Sequence, residues 1–256
     1  MTIDTPIQSQ ITALRSLWQE AFGDTEDFLD DFWRTAFDTN RCRCAVIDGN
    51  VAAALYWFDC LCMEKHIAYV YAVATAETYR GKGISHALME DTHRHLKKLG
   101  YEGVVLVPGS EELFRFYEGM GYRVCSMVHE FSCNAVVHGG HKVSLYSVDK
   151  HEYARLRRRF LPEGGVIQEK ENLDFLQTQA QFYAGPGFLL AARNEGSRLF
   201  GVELLGDETV APGIVSELAC VQGTFRVPGK DRPFAMYHSL ANNTPPAPTY
   251  FGLAFD

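Results

Sequence analysis

The stretch that most constrains this chain runs from a strand through a glycine-rich turn into a helix. Residues 68–75 are aromatic, β-branched and small, a composition typical of a buried strand. The turn at 80–85 reads Arg-Gly-Lys-Gly-Ile-Ser, and helical periodicity continues from there to Leu99. Glycine lets the backbone approach a ligand, and the first helical turn offers N–H groups and a positive dipole end. The sequence therefore predicts a binding site for phosphate or pyrophosphate.

The turn departs from two common phosphate-binding motifs and resembles a third. The Walker spacing is absent, and the dinucleotide fingerprint needs a third glycine where His86 stands. Instead, Arg80, Gly83 and Ser85 resemble the Arg/Gln-x-x-Gly-x-Gly/Ala motif of the GNAT superfamily of acyl-CoA-dependent N-acetyltransferases, with serine replacing Gly/Ala at the last position. Residues 116–122, Phe-Tyr-Glu-Gly-Met-Gly-Tyr, resemble the Tyr-Glu-x-x-Gly-Phe/Tyr signature of that superfamily.

The resemblance covers roughly residues 1–133 and implies an α+β fold with a central, mostly antiparallel twisted sheet flanked by helices. Local patterns agree with this order of elements, since apolar spacings of three and four predict helices and apolar runs predict strands. The predicted elements are helices at 8–22 and from Asp24 or Thr25 to Phe37, strands at 42–47, 51–58, 60–63 and 66–75, a helix at 83–99, a strand at 103–107, a helix at 110–120 and a strand at 122–133.

The second half of the sequence echoes the order of elements in the first half. Its predicted elements are a short helix ending near Phe160, helices at 169–183 and 212–222, a hairpin of 188–193 and 199–205, and strands at 234–240 and 250–254. It lacks a second Arg-x-x-Gly-x-Gly match and should bind no second CoA. We therefore predict a GNAT acetyltransferase domain at 1–145 and a smaller, degenerate GNAT-like α/β lobe at 146–256.

Charge and hydropathy argue against several classes of partner. The chain has 24 Lys and Arg against 32 Asp and Glu, and its net charge of −8 does not fit the basic surface that nucleic-acid binding needs. No apolar run reaches transmembrane length, and the first six residues lack the basic and apolar regions of a signal peptide. We therefore expect a cytoplasmic protein that binds neither nucleic acid nor membranes, while a homodimer stays open.

Several metal-ligating residues stand in pairs at short spacing. These pairs are Cys42 and Cys44, Cys60 and Cys62, and His138 and His141. None of them comes with further evident ligands, so reduced cysteines that pack in strands and a flexible histidine turn are the favoured interpretations. We expect no metal site. His93 and His95, two apart on the predicted helix, point to different faces and are predicted to be solvated.

The resemblance also implies how the cofactor acetyl-CoA would be held. The glycine-rich turn would bind its pyrophosphate, and the preceding strand end would bind the pantetheine arm and polarise the thioester carbonyl through main-chain groups. Ser110 stands where many members of the superfamily carry an asparagine that contacts CoA. The predicted cofactor-binding residues are Val73, Ala74, Thr75, Arg80, Gly81, Lys82, Gly83, Ile84, Ser85 and Ser110.

Two catalytic residues are predicted, one from the resemblance and one from its chemistry. Tyr117 matches the general acid of the superfamily, and a phenol is neutral and donating at pH 7. His66, at the start of the fourth strand, has a suitable ordinary pKa of about 6.5 for a general base. A surface histidine at a strand end is the competing interpretation. Other candidate bases are His129, Glu130 and the C-terminal carboxylate of Asp256.

Three functional hypotheses follow from these features. The first is an N-acetyltransferase that moves an acetyl group from acetyl-CoA to a primary amine by direct attack in a ternary complex, since no nucleophilic Cys or Ser motif is evident. The second is a non-catalytic acyl-CoA-binding or regulatory module, which the intact Tyr117 argues against. The third is an aminoacyl or peptidyl transferase whose two lobes shape a larger acceptor cleft. The acceptor, a small-molecule or peptide amine, stays open.

Overall fold

The structure is a computed structural model that describes residues 1–136, 142–242 and 246–255. The chain divides into two compact units. The first comprises Met1–Arg123 and Met236–Pro246, and the second comprises Val124–Ala235 and Ala247–Asp256. Each unit therefore draws on two separate stretches of sequence. The domain boundary expected between residues 145 and 146 stays a prediction.

The described residues form helices and strands along the whole chain. The elements up to the end of the first long stretch are β1 (Thr2–Asp4), α1 (Ile11–Phe22), α2 (Glu26–Thr35), β2 (Cys42–Ile47), β3 (Asn50–Cys62), β4 (Lys65–Thr75), α3 (Ile84–Lys98), β5 (Gly103–Leu106) and α4 (Glu111–Gly119). Those that follow are β6 (Arg123–Asn134), β7 (Tyr146–Ser147), α5 (Lys150–Phe160), β8 (Ile167–Gln168), α6 (Glu171–Leu176), β9 (Gln181–Gly185), β10 (Phe188–Glu195), β11 (Arg198–Gly206), α7 (Ala211–Glu217), β12 (Gln222–Pro228) and β13 (Arg232–Ser239).

The strands of the first unit lie in the order β1-β2-β3-β4-β5-β13. Neighbouring strands are antiparallel except β4 and β5, which are parallel because the chain crosses between them through α3. Met236 to Ser239 of β13 pair with β5. The predicted α+β fold with a mostly antiparallel sheet and flanking helices is confirmed.

The strand β3 corrects the predicted pair of strands at 51–58 and 60–63. Asp59 interrupts the apolar run in the sequence, yet its carboxylate accepts a hydrogen bond from Tyr101 and lies 3.4 Å from the Arg41 guanidinium. These partners let the strand continue through Asp59 to Cys62. The three-residue edge strand β1 was not predicted, because it is too short to show alternation.

The strands of the second unit lie in the order β7-β9-β10-β11-β12-β6. The pair β11 and β12 is parallel and is joined through α7, whereas the other neighbours are antiparallel. This arrangement repeats the β4-α3-β5 crossover of the first unit. The interpretation of the unit as a GNAT-like lobe stays a prediction.

The helix predicted at 169–183 is wrong in its second half. Helix α6 ends at Leu176, and β9 starts at Gln181 and pairs with β10. Within β9, the ring of Phe182 stacks on Tyr153 with 4.3 Å between the ring centroids. Packing against distant residues therefore decides the conformation of this segment, which its local pattern does not show.

The second unit also differs from the prediction at α7, which ends at Glu217 rather than at 222, at the unpredicted short strand β8, and at β12 and the segment 250–254. Strand β12 was not predicted, because its apolar pattern is broken by Arg226, which is 2 % exposed and lies over the ring of Phe234. The strand predicted at 250–254 is absent from the described ladders, and Tyr250 forms only an isolated bridge with Gly165.

In the parts of the chain that are described, none of the helices is long and apolar enough to cross a membrane.

Candidate active site

The end of strand β4 leaves part of its edge uncovered by β5. The two strands pair at Ile67, Ala68 and Tyr69, and β5 ends at Leu106, whereas β4 runs on to Thr75. The β4 residues after Val70 therefore lie beyond the end of β5. An uncovered strand edge presents main-chain N–H and C=O groups that an extended ligand can bind.

Strand β4 is also distorted at this end. Ala72 has a φ of +50°, which is rare for a residue other than glycine, and the register between β3 and β4 shifts between Ala54 and Tyr56. Backbone strain of this kind costs about 1–3 kcal/mol and is concentrated at functional sites. The distortion lies one residue before Val73, the first of the predicted pantetheine-binding residues.

The glycine-rich turn has the backbone that the sequence predicts for an anion site. Gly81 and Gly83 both have a φ of +73°, and a Cβ at either position would meet nothing within 4 Å. Glycine at these two positions therefore permits a positive φ and leaves open space beside the backbone. Gly83 is the N-cap of α3, and the hydrogen bond from Ala87 N to Gly83 O, at 3.1 Å, closes the first turn. The main-chain N–H groups of the residues before Ala87, including those of Ile84 and Ser85, are in the first helical turn and are left for a ligand.

Two cationic side chains of the turn hold main-chain oxygens. Arg80 Nε donates to the carbonyl of Thr75 at 3.1 Å, and Lys82 Nζ donates to the carbonyl of Thr78 at 2.9 Å. The Arg80 bond ties the turn to the end of β4. Both side chains also add positive charge beside the N-terminus of α3, where an anion is favoured.

The hydroxyl of Thr75 supports the fit of a ligand at this strand end. Its Oγ1 is buried and has no hydrogen-bond partner among the described residues. Ala74 beside it is 5 % exposed. A buried hydroxyl without a partner costs roughly 1–3 kcal/mol, so a ligand with amide or hydroxyl groups would relieve that cost. The pantetheine arm of CoA carries such groups.

Tyr117 lies on α4 and is 6 % exposed. Burial raises the pKa of its phenol to about 12, so the hydroxyl keeps its proton at neutral pH. Its side chain belongs to one buried cluster with Ile84 and Leu88 of α3, and Val73 packs against that cluster. The predicted acid and the first residue of α3 therefore belong to the same hydrophobic core.

Ser110 begins α4 and acts as its N-cap. Its hydroxyl accepts a hydrogen bond from the N–H of Leu113 at 3.4 Å, as the sequence predicts for a helix start at this position. The proposed contact of Ser110 with CoA stays a prediction.

The structure does not bring His66 to the glycine-rich turn. His66 is exposed at the start of β4, seven residues before Val73. At about 3.3 Å per residue, the strand separates the two by roughly 23 Å. Its catalytic role stays a prediction, and the mechanism proposed below does not use it.

The other candidate bases lie in the second unit or outside the described residues. His129 pairs with Asp231. Burial alone would raise the pKa of Glu130, but hydrogen bonds from Arg226 at 2.9 Å and Arg232 at 2.6 Å lower it below its ordinary value. A carboxylate held in this way is a weaker base. Asp256 is not among the described residues.

The paired cysteines are buried thiols. Cys42, Cys44, Cys60 and Cys62 are each at most 3 % exposed, and burial raises the pKa of Cys44 and of Cys62 to about 11. Among the residues that the structure describes, no three His, Cys, Asp or Glu side chains are grouped as metal ligands. His138 and His141 lie outside the described residues.

One group near Tyr117 was missed by the sequence analysis. His93 was expected to be solvated, but its Nε2 lies 2.7 Å from the hydroxyl of the fully buried Tyr122. The two residues are 29 positions apart, and no local pattern links them. Only the Tyr122 position within the second motif gave a signal that this region matters.

Comparison with known proteins extends the description of the site. Residues 2–125, slightly less than half of the chain, match the family described as the acetyltransferase (GNAT) domain. Residues 2–125 are therefore similar to the GNAT acetyltransferase family. This match indicates that the protein is an acyltransferase. A search among curated protein sequences finds no match.

Solved structures share this fold over nearly the whole chain. A GCN5-related N-acetyltransferase from Anabaena variabilis superposes with a TM-score of 0.72 at 15 % identity, over 94 % of this chain and 73 % of the other. One from Kribbella flavida gives 0.69 at 16 % identity, over 92 % and 70 %. Eis1 from Mycobacterium abscessus gives 0.65 at 11 % identity, over 94 % and 74 %. At such identities these similarities concern the fold alone.

Proposed function

We propose that this GNAT enzyme is an N-acetyltransferase that transfers an acetyl group from acetyl-CoA to a primary amine. One observation carries the proposal: Ile84 at the helix N-terminus and Tyr117 share a buried cluster, and Val73 of the uncovered strand end packs against it. An anion site, free main-chain groups and a proton donor are the parts that acyl transfer from a CoA thioester requires.

Each part of the site supports one binding task. The first-turn N–H groups of α3, which follow the uncrowded Gly81 and Gly83, would hold the pyrophosphate. The main chain of Val73, Ala74 and Thr75 would pair with the amides of the pantetheine arm, as an added strand does. A main-chain N–H there would also donate to the thioester oxygen as charge develops on it.

The reaction needs one new bond, one broken bond and two proton movements. Acetyl-CoA supplies an acyl carbon activated as a thioester. The neutral amine would form the C–N bond while the C–S bond breaks, and the amine's surplus proton would pass to water or to a base that stays open. Tyr117 would donate its proton to the departing sulfur. Its raised pKa keeps that proton in place until a thiolate forms beside it. The proton released by the amine would return to the phenolate through water, which restores the acid.

The experiment that tests this proposal measures thiol release from acetyl-CoA with a panel of amines, with CoA binding followed by calorimetry in parallel. Turnover with any amine, and an acetylated product of matching mass, is the expected result. Binding of CoA without turnover on small-molecule, polyamine, amino-acid, peptide and protein amines would favour the non-catalytic binding module instead. Failure to bind CoA would contradict the cofactor assignment itself.

We further propose that the second unit is a GNAT-like lobe that binds no CoA. Its β11-α7-β12 crossover supports this, because it has the same parallel geometry as β4-α3-β5. Before α7, however, the chain reads Gly-Asp-Glu-Thr-Val, and Asp207 and Glu208 would repel a pyrophosphate. One CoA per chain is the expected calorimetric stoichiometry, and two would overturn this part. The acceptor class and the cytoplasmic location stay predictions.

A further inference from the structure

The backbone links Tyr122 directly to Tyr117. The N–H of Tyr122 donates to the carbonyl of Tyr117 at 3.0 Å, and that of Gly121 donates to the carbonyl of Glu118 at 3.0 Å. Gly121, with a φ of +86°, reverses the chain between them, and its glycine also avoids a Cβ at 3.3 Å from His238 Nδ1. The last turn of α4 is therefore closed by Tyr122.

The side chains of these two tyrosines also touch. Their ring centroids lie 5.5 Å apart with the planes at 62°, an edge-to-face contact. Tyr122 is 0 % exposed, so the packing around its ring restricts its movement beside Tyr117. Any movement of Tyr122 would move Tyr117 through both the backbone bond and the ring contact.

Tyr122 is in turn held by helix α3. Its hydroxyl lies 2.7 Å from His93 Nε2, and the His93 ring stacks on His238 with 4.6 Å between centroids and 13° between planes. The His238 ring lies 5.2 Å from that of Tyr122. Three rings from α3, β13 and the segment after α4 thus pack together.

The imidazole of His93 is neutral in this setting. Burial, together with smaller charge effects of the neighbouring His238, Arg94 and His86, lowers its pKa to about 3. A neutral imidazole has one donor and one acceptor nitrogen, so it complements a hydroxyl, which both donates and accepts. The hydrogen bond therefore persists throughout the neutral pH range.

We infer that His93 and Tyr122 are positioning residues, which anchor the phenol of Tyr117 to helix α3 and so align it with the sulfur of a cofactor bound at the N-terminus of that helix. The inference rests on the proposed function. Helix α3 would then bind the acetyl donor at its N-terminus and orient Tyr117 through His93 near its middle. Neither residue touches the reacting atoms in this role.

The test compares two substitutions of one residue. His93→Leu removes the hydrogen bond and should lower kcat about tenfold, the value of one such bond, with KM for acetyl-CoA unchanged. His93→Gln keeps a polar group that can reach the hydroxyl and should restore most of kcat. His95→Leu on the same helix is the matched control, since His95 contacts Trp57 instead, and it should leave kcat unchanged.

A double-mutant cycle separates this role from simple loss of packing. Tyr122→Phe breaks the same bond from the other side while keeping the ring, so it should also lower kcat about tenfold. The double variant with His93→Leu should lose about tenfold as well, rather than a hundredfold. Additive losses, or an unchanged kcat in a His93→Leu protein that keeps its melting temperature, would overturn the inference.

The outcomes for the inference and for the proposed function are distinguishable. If the unmodified protein shows turnover and the His93 variants match it, only the positioning role is lost. If the unmodified protein shows no turnover with any amine, the proposed function fails first, and the positioning role fails with it. Should His93→Leu not fold, Tyr122→Phe against His93→Gln carries the comparison alone, and equal kcat in Tyr122→Phe and the unmodified protein then rejects the role.

Discussion

At the scale of single residues, loss of the Tyr117 hydroxyl should change turnover without changing CoA binding. Tyr117→Phe removes the proton donor but keeps the ring in its buried cluster. We expect turnover to fall about 100-fold or more, since positioned general acids contribute roughly 10²–10⁴-fold, while the dissociation constant of CoA stays unchanged. Steady-state thiol release and calorimetry on the same preparation measure the two quantities.

The matched control for this substitution is Tyr146→Phe. Tyr146 is 54 % exposed, so loss of its hydroxyl should change neither turnover nor CoA binding. Equal turnover in Tyr117→Phe and in the control would refute the acid assignment. A loss of CoA affinity in Tyr117→Phe would instead make the hydroxyl a binding group.

The cysteines differ in their expected reactivity towards a thiol reagent. Cys42, Cys44, Cys60 and Cys62 are buried, and burial raises the pKa of three of these thiols, so the reactive thiolate is scarce. Cys125 and Cys133 are half-buried. Colorimetric titration of the native protein should label Cys125 and Cys133 first, and the buried thiols, which also include Cys220, only after unfolding. Fast labelling of the buried cysteines, mapped by mass spectrometry, would contradict their burial.

Candidate site residues can be predicted from sequence where a short motif marks them. Gly83 and Tyr117 could be named because their neighbours in sequence define the turn and the signature around them. His93 could not, because its hydrogen bond depends on Tyr122, which only the fold brings near. Arginine is usually found at the surface, but Arg226 is buried and its guanidinium lies over the ring of Phe234.

At the scale of elements, the N-terminus of α3 is the part that a charge should disturb most. Gly83→Asp places a carboxylate where a pyrophosphate is expected, and Gly83→Asn places a neutral group of the same shape there. Both must adopt a positive φ, which asparagine and aspartate tolerate better than most residues. We expect at least tenfold weaker CoA binding in Gly83→Asp than in Gly83→Asn, measured by calorimetry at low and high salt.

The difference between the two variants should shrink at high salt, because the repulsion is electrostatic. Equal weakening in both would mean that the glycine serves only the backbone conformation. Equal and undiminished binding in both would place the pyrophosphate elsewhere.

Helix α4 offers a separate test of its cap. Ser110→Ala removes the hydroxyl that accepts from Leu113, which should lower the free energy of unfolding by about 1 kcal/mol. If capping is its whole role, CoA affinity stays unchanged. Ser110→Asp, which can also cap, should restore stability, and denaturant unfolding with calorimetry distinguishes capping from a direct contact with CoA.

The elements of the first unit were the more predictable ones. Their amphipathic helices and apolar strands follow local periodicity, and the exceptions arise where a distant partner compensates a polar residue, as Arg41 and Tyr101 do for Asp59. In the second unit, the apolar residues around Phe182 have helical spacing, but this segment forms strand β9 because it pairs with β10. Pairing across the chain therefore outweighs local propensity there.

At the scale of the whole molecule, buried tyrosines link stability to alkaline pH. Burial raises the pKa of Tyr117 to about 12, and it also raises the pKa of Tyr56, Tyr122, Tyr153 and Tyr250 well above the ordinary value near 10. A pKa raised on folding means that the contribution to stability is complete below pH 10 and is lost as pH rises towards the folded pKa.

The free energy of unfolding should therefore be level from neutral pH to about pH 9.5 and then fall. Tyr117 alone contributes about 2–3 kcal/mol of that loss by pH 12. Urea unfolding followed by fluorescence, with phenolate absorbance recorded in parallel, measures both the stability and the titration. Phenolate formation that is complete by pH 10.5 in the folded protein would contradict the burial of these side chains.

The pairing of β5 with β13 has a consequence for protein synthesis. Gly103 to Leu106 find their partners at Met236 to Ser239, more than 120 residues later in the chain. While the ribosome is translating the residues between β5 and β13, the unit that carries the glycine-rich turn lacks a strand that completes its sheet. The nascent chain must therefore keep an apolar strand edge shielded until β13 has been made, so chaperone demand should fall once β13 has left the ribosome.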